Sequence, residues 1–287
     1  MTFIGRKVLA IITGASRGIG RETVLQLSKI VAKGSAFLIT ARTAAKLEEL
    51  RDEIKSSVEG IDIHVLVCDA EKLNSGKILE LQGAISSLIA NSRTYDVLLL
   101  VHNAGTVGDI TKRGVEIINS DDWHSYLQIN FVSVVLINNS VLSTIPERVA
   151  PARYILNVTS LLAVKAFPSM VQLISKLVQK GNKPEKEYNL QYSVGKAARE
   201  AFFRALAVEE SNLRILNYSP GPVQTDMHNE IAKRSYDEGI RESFKAQADS
   251  TEVNRRTLSP KETVEKMLSI LEEDKFESGS RYDFFDF

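Results

Sequence analysis

A tyrosine and a lysine four residues apart, Tyr192 and Lys196, can do acid chemistry together if they share a helix. That spacing puts both side chains on one face, where an ammonium favours the tyrosinate and lowers the phenol pKa towards a value useful for proton donation. Such a pair is ordinary on helices, and alone it says little. It gains meaning from Ser160 and Asn130 upstream. A serine hydroxyl can hydrogen-bond the carbonyl that the tyrosine protonates. The lysine can also hold a nucleotide ribose, and Asn130 can support a water that leads protons back to the lysine. The reaction this set fits is proton delivery to a carbonyl oxygen, and it needs a hydride source beside it.

A second group of residues supplies a place for one. Thr13-Gly14-Ala15-Ser16-Arg17-Gly18-Ile19-Gly20 closes an apolar run and leads at once into a helical pattern. Glycines there permit a tight turn and let backbone approach phosphate, while the amides of the helix N-terminus point partial positive charge at a pyrophosphate. The spacing departs from G-x-G-x-x-G, and a glycine-rich turn by itself is equally a plain strand-to-helix connection. After the second strand an NAD site would carry an acid for the ribose hydroxyls. Here Arg42 stands instead, followed by Thr43. Arg42 and Arg17 can clamp the 2′-phosphate of NADP through charge-assisted hydrogen bonds, the other reading being two solvated arginines. Asp69, with Ala70 after it, is placed to take an adenine amino group and reads equally as a turn or cap residue. In His102-Asn103-Ala104-Gly105, small residues let a cofactor ribose lie close to the backbone, though Asn103 is also a turn former. The cofactor expected is NADP(H).

Those residues need elements to position them. Strand candidates are Val8–Thr13, Ala36–Thr40, Ile63–Val67, Val97–His102, Arg153–Thr159, Leu213–Tyr218 and a last one near Arg281–Phe285. Between them, apolar residues recur at three and four in Ala44–Val58, Gly76–Asn91, Asp122–Ile145, Tyr192–Glu210 and Pro260–Glu273. Alternating strands and helices, with several strands apolar throughout, predict an α/β fold. The expectation is one Rossmann-type, doubly wound parallel sheet covered by helices on both faces. A single domain over residues 1–287 follows, since nothing marks a linker, and the polar stretch His228 to Arg256 reads as a helical flap over a site.

Taken in order, these motifs resemble the short-chain dehydrogenase/reductase family: T-G-x-x-x-G-x-G, N-A-G, a helical Asn, Ser, Y-x-x-x-K, then Pro220-Gly221. The resemblance covers nearly the whole chain. It implies a nicotinamide-dependent oxidoreductase in which Val223, Thr225 and the backbone of Pro220-Gly221-Pro222-Val223-Gln224-Thr225 hold the nicotinamide half of the cofactor, with Met227 beside them. Four stretches, Thr13–Arg21, Tyr192–Glu200, Asn217–Met227 and Ser278–Asp286, look like those of a pterin-reducing branch of the family. In that branch an aspartate of the closing segment anchors the pterin, and Asp283 falls on its position, with Gly221 and Met227 on positions of the substrate pocket. A pterin's 2-amino group and ring N–H form a planar fork of donors that a carboxylate accepts much as it accepts a guanidinium. The implied role is a step of tetrahydrobiopterin synthesis. A broad reductase of diketones or aromatic ketones would use the same four catalytic residues without Asp283, and a non-catalytic NADP sensor would usually have lost the tyrosine or the lysine.

Ser160 and Tyr192 stand further apart than the family leads one to expect, and an insertion at about 167–189 accounts for it. Its apolar stripe and polar turn suit a lid, a contact with another chain, or a tolerated surface insertion. The helices Asp122–Ile145 and Tyr192–Glu210 are more apolar than one sheet face needs, and the family pairs them across a two-fold axis, so a homodimer is expected. Among the 287 residues, basic and acidic ones balance at 36 each, which argues against a nucleic-acid or acidic-membrane partner and for a small-molecule substrate. The lone Cys68 excludes an internal disulfide and suits the cytoplasm. No Cys/His cluster has metal-site spacing, and His64, His102, His124, His228 and Trp123 read as packing or surface residues. The first apolar run is too short for a signal-peptide core, and no later stretch is expected to span a bilayer.

Overall fold

The computed structural model describes residues 2–164, 190–252 and 256–286. Its strands carry apolar residues that alternate between two covered faces, as a period of two requires. In β1 (Val8–Thr13) every residue is buried; Val8, Ala10 and Ile12 join one core, and Leu9 and Ile11 the other. The first core is closed by α1 (Gly18–Ile30), α2 (Ala44–Ser57) and α9 (Pro260–Glu273), through residues such as Val24, Leu27, Leu50 and Met267. The second is closed by α3 (Ser75–Leu88), α5 (Ser133–Thr144) and α6 (Leu190–Glu209), through Ile85, Val141 and Phe203.

The seven strands are β1, β2 (Ala36–Ala41), β3 (Asp62–Val67), β4 (Val97–His102), β5 (Ala152–Val158), β6 (Leu213–Ser219) and β7 (Arg281–Asp283). They lie in the order β3-β2-β1-β4-β5-β6-β7, every neighbouring pair parallel. This is the doubly wound sheet expected from the sequence. The order reverses between β1 and β4, which opens a crevice beyond their carboxyl ends, the usual ligand position in such sheets. The motifs singled out from the sequence gather at that edge. The polar stretch after β6 forms two helices, α7 (Asp226–Arg234) and α8 (Glu238–Asp249), packed on each other through His228 and Phe244, whose rings are 4.8 Å apart. The expected insertion at about 167–189 lies outside the described residues.

Two expectations are corrected here. The long helix foreseen over Asp122–Ile145 is interrupted: α4 (Ser120–Leu127) passes through one π turn, Gln128–Val132, into α5. A single extra residue in a turn leaves the hydrophobic period almost intact, so periodicity does not reveal it. The composite helix Ser120–Thr144, 25 residues with a mean hydropathy of 1.3 over its most apolar window, is also long and apolar enough to cross a membrane by length and composition, against the expectation that no segment would be. Its apolarity has a local cause. Val134, Ile137 and Val141 fill the sheet core, while Val132 and Leu136 add exposed apolar surface.

Candidate active site

The glycine turn after β1 is built by its neighbours. Thr13 Oγ1 donates to Val101 O (3.1 Å) and accepts from the amides of Asn103 (3.0 Å) and Ala104 (3.1 Å), tying β1 to β4 at their carboxyl ends. Asn103 Nδ2 donates to Thr13 O and Gly14 O, both at 3.1 Å. A Cβ at Gly14, whose φ is +67°, would stand 2.8 Å from that Nδ2, and a Cβ at Gly20 would collide with the Gly14 carbonyl. Ala15 is buried, and Ser16, Gly18 and Ile19 are half-buried around the start of α1. No side chain caps that helix start at Arg17, so its first amides remain available to an anion. These features fit a pyrophosphate.

Of the expected phosphate ligands, Arg17 and Arg42 are both exposed at this edge. Arg17 Nη1 pairs with Asp226 Oδ2 at 2.6 Å, a partner not foreseen from the sequence. Thr43, also exposed, precedes α2. Asp69 caps a short 3-10 turn over Ala70–Lys72 by accepting from the amide of Glu71 at 3.2 Å, the cap reading left open above. Beyond β6, Gly221 (φ +71°) lies under the ring of Phe285, and Leu258 pairs with Val223 in an isolated bridge. Thr225 accepts from the amide of His228 at 3.3 Å, and its methyl would touch a Cβ on Gly18 at 3.2 Å. The start of α7 thus rests on the glycine turn, with Met227 half-buried one residue further on.

The catalytic candidates meet between β5 and α6. Ser160, just beyond β5, accepts from the amide of Leu162 at 3.2 Å and hydrogen-bonds Tyr192. Lys196, buried one turn along α6, donates to Val158 O at 2.7 Å and stands 5.5 Å from the centre of the Tyr192 ring. Burial raises the phenol pKa of Tyr192, against the pull of the Ser160 hydrogen bond and the Arg199 charge. Burial, aided by Arg199, pushes the Lys196 ammonium well below its usual value. The expectation that Lys196 lowers the phenol pKa is therefore corrected: the phenol stays protonated, and the cation that draws it down is Arg199. A protonated phenol is the state that reduction of a carbonyl requires. Asn130 sits buried in the π turn, accepting from the amide of Thr106 at 2.9 Å and donating to Tyr126 O at 3.1 Å. Gly105 leaves room for it, since a Cβ there would stand 2.9 Å from Asn130 Oδ1.

Two charged residues were missed. Arg199 is fully buried and donates to His102 O (2.5 Å), Ala104 O (3.0 Å) and Asn157 Oδ1 (3.0 Å), clamping the ends of β4 and β5. Glu200, also buried, accepts from the hydroxyl of Thr159 at 2.9 Å, and burial raises its pKa. The signal was present: both lie seven and eight residues after Tyr192, on the inward stripe that continues to Phe203. Asp283, at the end of β7, is 6% exposed. Its Oδ2 accepts from the Ser219 hydroxyl at 2.6 Å, and Oδ1 from the amide of Phe285 at 3.3 Å.

Known proteins share this chain's family and fold. Residues 8–175 match the short chain dehydrogenase family, a match that ends before Tyr192. Sepiapterin reductase from Bos taurus is 31% identical over 98% of this chain and 95% of its own length. The Xenopus laevis sepiapterin reductase is 30% identical over 97% and 96%. Among solved structures, L-sorbose reductase from Gluconobacter frateurii, crystallised with NADPH and L-sorbose, superposes with a TM-score of 0.70 over 99% of this chain and 97% of its own, at 23% identity, and shares the fold. The chain belongs to the short-chain dehydrogenase family and is an oxidoreductase of that class. Within the class, it resembles sepiapterin reductases over nearly its whole length.

Proposed function

We propose that the chain is an NADPH-dependent sepiapterin reductase, reducing the side-chain carbonyl of pterins such as sepiapterin and 6-pyruvoyl-tetrahydropterin in tetrahydrobiopterin synthesis. The observation that carries the substrate is the position of Asp283. Its carboxylate lies at the carboxyl end of β7, hydrogen-bonded to Ser219 at the end of β6, while the next residues cover Gly221. Two bonds leave lone pairs on both oxygens for the donor fork of a pterin.

The residues divide the work by position. The amides of Ala15 to Gly20 would hold the pyrophosphate, and Arg17 and Arg42 the 2′-phosphate. Asp69 and Ala70 would take the adenine, Asn103 to Gly105 would let a cofactor ribose lie close to the backbone, and Val223, Thr225 and Met227 would hold the nicotinamide half. Bound NADPH would supply the hydride that reaches the carbonyl carbon. Ser160 would orient the carbonyl oxygen and Tyr192 protonate it, with Lys196 on the ribose and Asn130 supporting a water that leads protons back to the lysine. The unit would be one domain of residues 1–287, cytoplasmic, and a homodimer through the helices that expose Val132, Leu136 and Val194.

The test compares NADPH consumption with sepiapterin and with a simple diketone, for the parent and for Asp283→Asn. The carboxylate reading expects kcat/KM for sepiapterin to fall about 10- to 100-fold, the size of losing a charged hydrogen-bond acceptor. Diketone turnover should stay near the parental value. Equal effects on both substrates would move the function to a broad carbonyl reductase.

A further inference from the structure

The pair between Arg17 and Asp226 joins two segments that are 209 residues apart in sequence. Arg17 precedes the first residue of α1, and Asp226 is the first residue of α7. The two side chains are 57% and 60% exposed, and their contact is a direct one of 2.6 Å. Next to it, the Thr225 methyl rests against Gly18. The pair therefore closes the start of α7 over the turn whose amides face an anion. Among the described residues, Arg42 makes no ion pair, so the two arginines at this edge differ: one already answers to a carboxylate.

We infer that Asp226 sets how strongly this chain prefers NADPH over NADH, because its carboxylate holds the guanidinium that the 2′-phosphate would use. The inference rests on the proposed reading of Arg17 as a ligand of that phosphate. A guanidinium carries five N–H donors and Asp226 engages Nη1, so a phosphate that wants the same bidentate edge must take it from the carboxylate or use the remaining donors next to it. A 2′-phosphate approaching Arg17 must either displace Asp226 or sit beside its negative charge. Both oppose binding of the 2′-phosphate, and a cofactor that lacks it escapes them, keeping only the weaker repulsion between Asp226 and the pyrophosphate that the two cofactors share. Asp226 is thus a competitor carried by the protein itself, at an exposed edge where its effect is moderate and screened by salt. Displacing it would also loosen the start of α7 from the glycine turn, coupling the adenosine end of the cleft to the helices after β6.

The experiment measures dissociation constants of NADPH, NADH and 2′,5′-ADP by titration calorimetry for the full chain. The variants are Asp226→Asn, Asp226→Glu, Arg17→Gln and the double Arg17→Gln/Asp226→Asn. The inference expects Asp226→Asn to bind NADPH and 2′,5′-ADP about fivefold more tightly, the size of an exposed ion pair, with NADH changed less than about twofold. Asp226→Glu should restore parental values, and in the Arg17→Gln background the Asp226 substitution should change nothing. If Arg17→Gln lowers NADPH affinity relative to NADH but Asp226→Asn leaves NADPH binding unchanged or weaker, Arg17 keeps its role and Asp226 loses the one assigned to it. If Arg17→Gln leaves the NADPH-to-NADH ratio as it was, the phosphate reading of Arg17 fails first.

Discussion

The two ends of the cleft are made differently. At the proposed adenosine end, backbone amides and exposed side chains would do the recognising: Arg17 and Arg42 stand in solvent, and Asp69 caps a three-residue turn. At the chemical end, charged and amide side chains are taken out of water. Lys196 is 5% exposed, Asn130 1% and Arg199 0%, each tied by hydrogen bonds to the ends of β4 and β5 or the turns beyond them. An exposed charge is solvated and costs little to move, so the first end can be retuned by single substitutions. A buried one has its energy fixed by the partners around it. Changes at the chemical end should therefore be large and selective for rate or pH behaviour, and changes at the adenosine end small and selective for affinity.

The largest effect is expected from Tyr192→Phe. It removes only the hydroxyl that hydrogen-bonds Ser160, so packing of the ring over Lys196 is retained. Loss of the proton donor should lower kcat by about 10²- to 10⁴-fold while NADPH binding, followed by its fluorescence, stays near the parental value. A variant within tenfold of the parent would mean that another group supplies the proton, and the contrast between the two ends would lose its main support.

Next comes a pH effect from the same buried end. Burial, with the nearby Arg199 charge, holds the imidazole of His102 down to about 3 from its usual 6.5. The folded protein therefore keeps His102 neutral where the unfolded chain protonates it. Stability from this residue is complete above pH 6.5 and drains away as pH falls towards about 3. His102→Gln keeps a polar partner for Asn138, 3.3 Å from Nε2, and removes the titration. Its melting temperature should fall less steeply than the parent's between about pH 7 and 5. Parallel slopes would show that His102 does not carry this dependence.

Much of this architecture is legible without coordinates, and the limits are physical. The glycine turn, the N-A-G segment and the Tyr192–Lys196 spacing can be read because each depends on residues close in sequence. Alternating apolar runs locate the seven strands, with ends displaced by a residue or two, as at Asp62 and Ser219. What could not be read depends on contacts far along the chain. Asp226 meets Arg17 only because the start of α7 comes back to the glycine turn, and Asn103 proves to be a brace on Gly14 rather than a turn former alone. The π turn at Asn130 hides because its single extra residue leaves the hydrophobic period almost intact. Arg199 was visible as a charge on an apolar stripe, yet only the ends of β4 and β5 show why it is tolerated there.

The smallest effect separates two readings of Asp69 at the exposed end. As a cap, its carboxylate accepts from the amide of Glu71 at 3.2 Å. Asp69→Ala should cost about 0.5–1 kcal/mol of stability, because an N-cap of so short a turn satisfies a single amide. If the same carboxylate also takes an adenine amino group, the variant should bind NADPH and NADH about fivefold more weakly, both alike, since adenine is common to the two. Asp69→Asn keeps an acceptor oxygen in the same place and should sit near the parent in both measurements. A variant that loses the stability but binds both cofactors with parental affinity would leave Asp69 a cap and nothing more. Adenine recognition would then rest on backbone, and the adenosine end would depend still less on its side chains than the chemical end does.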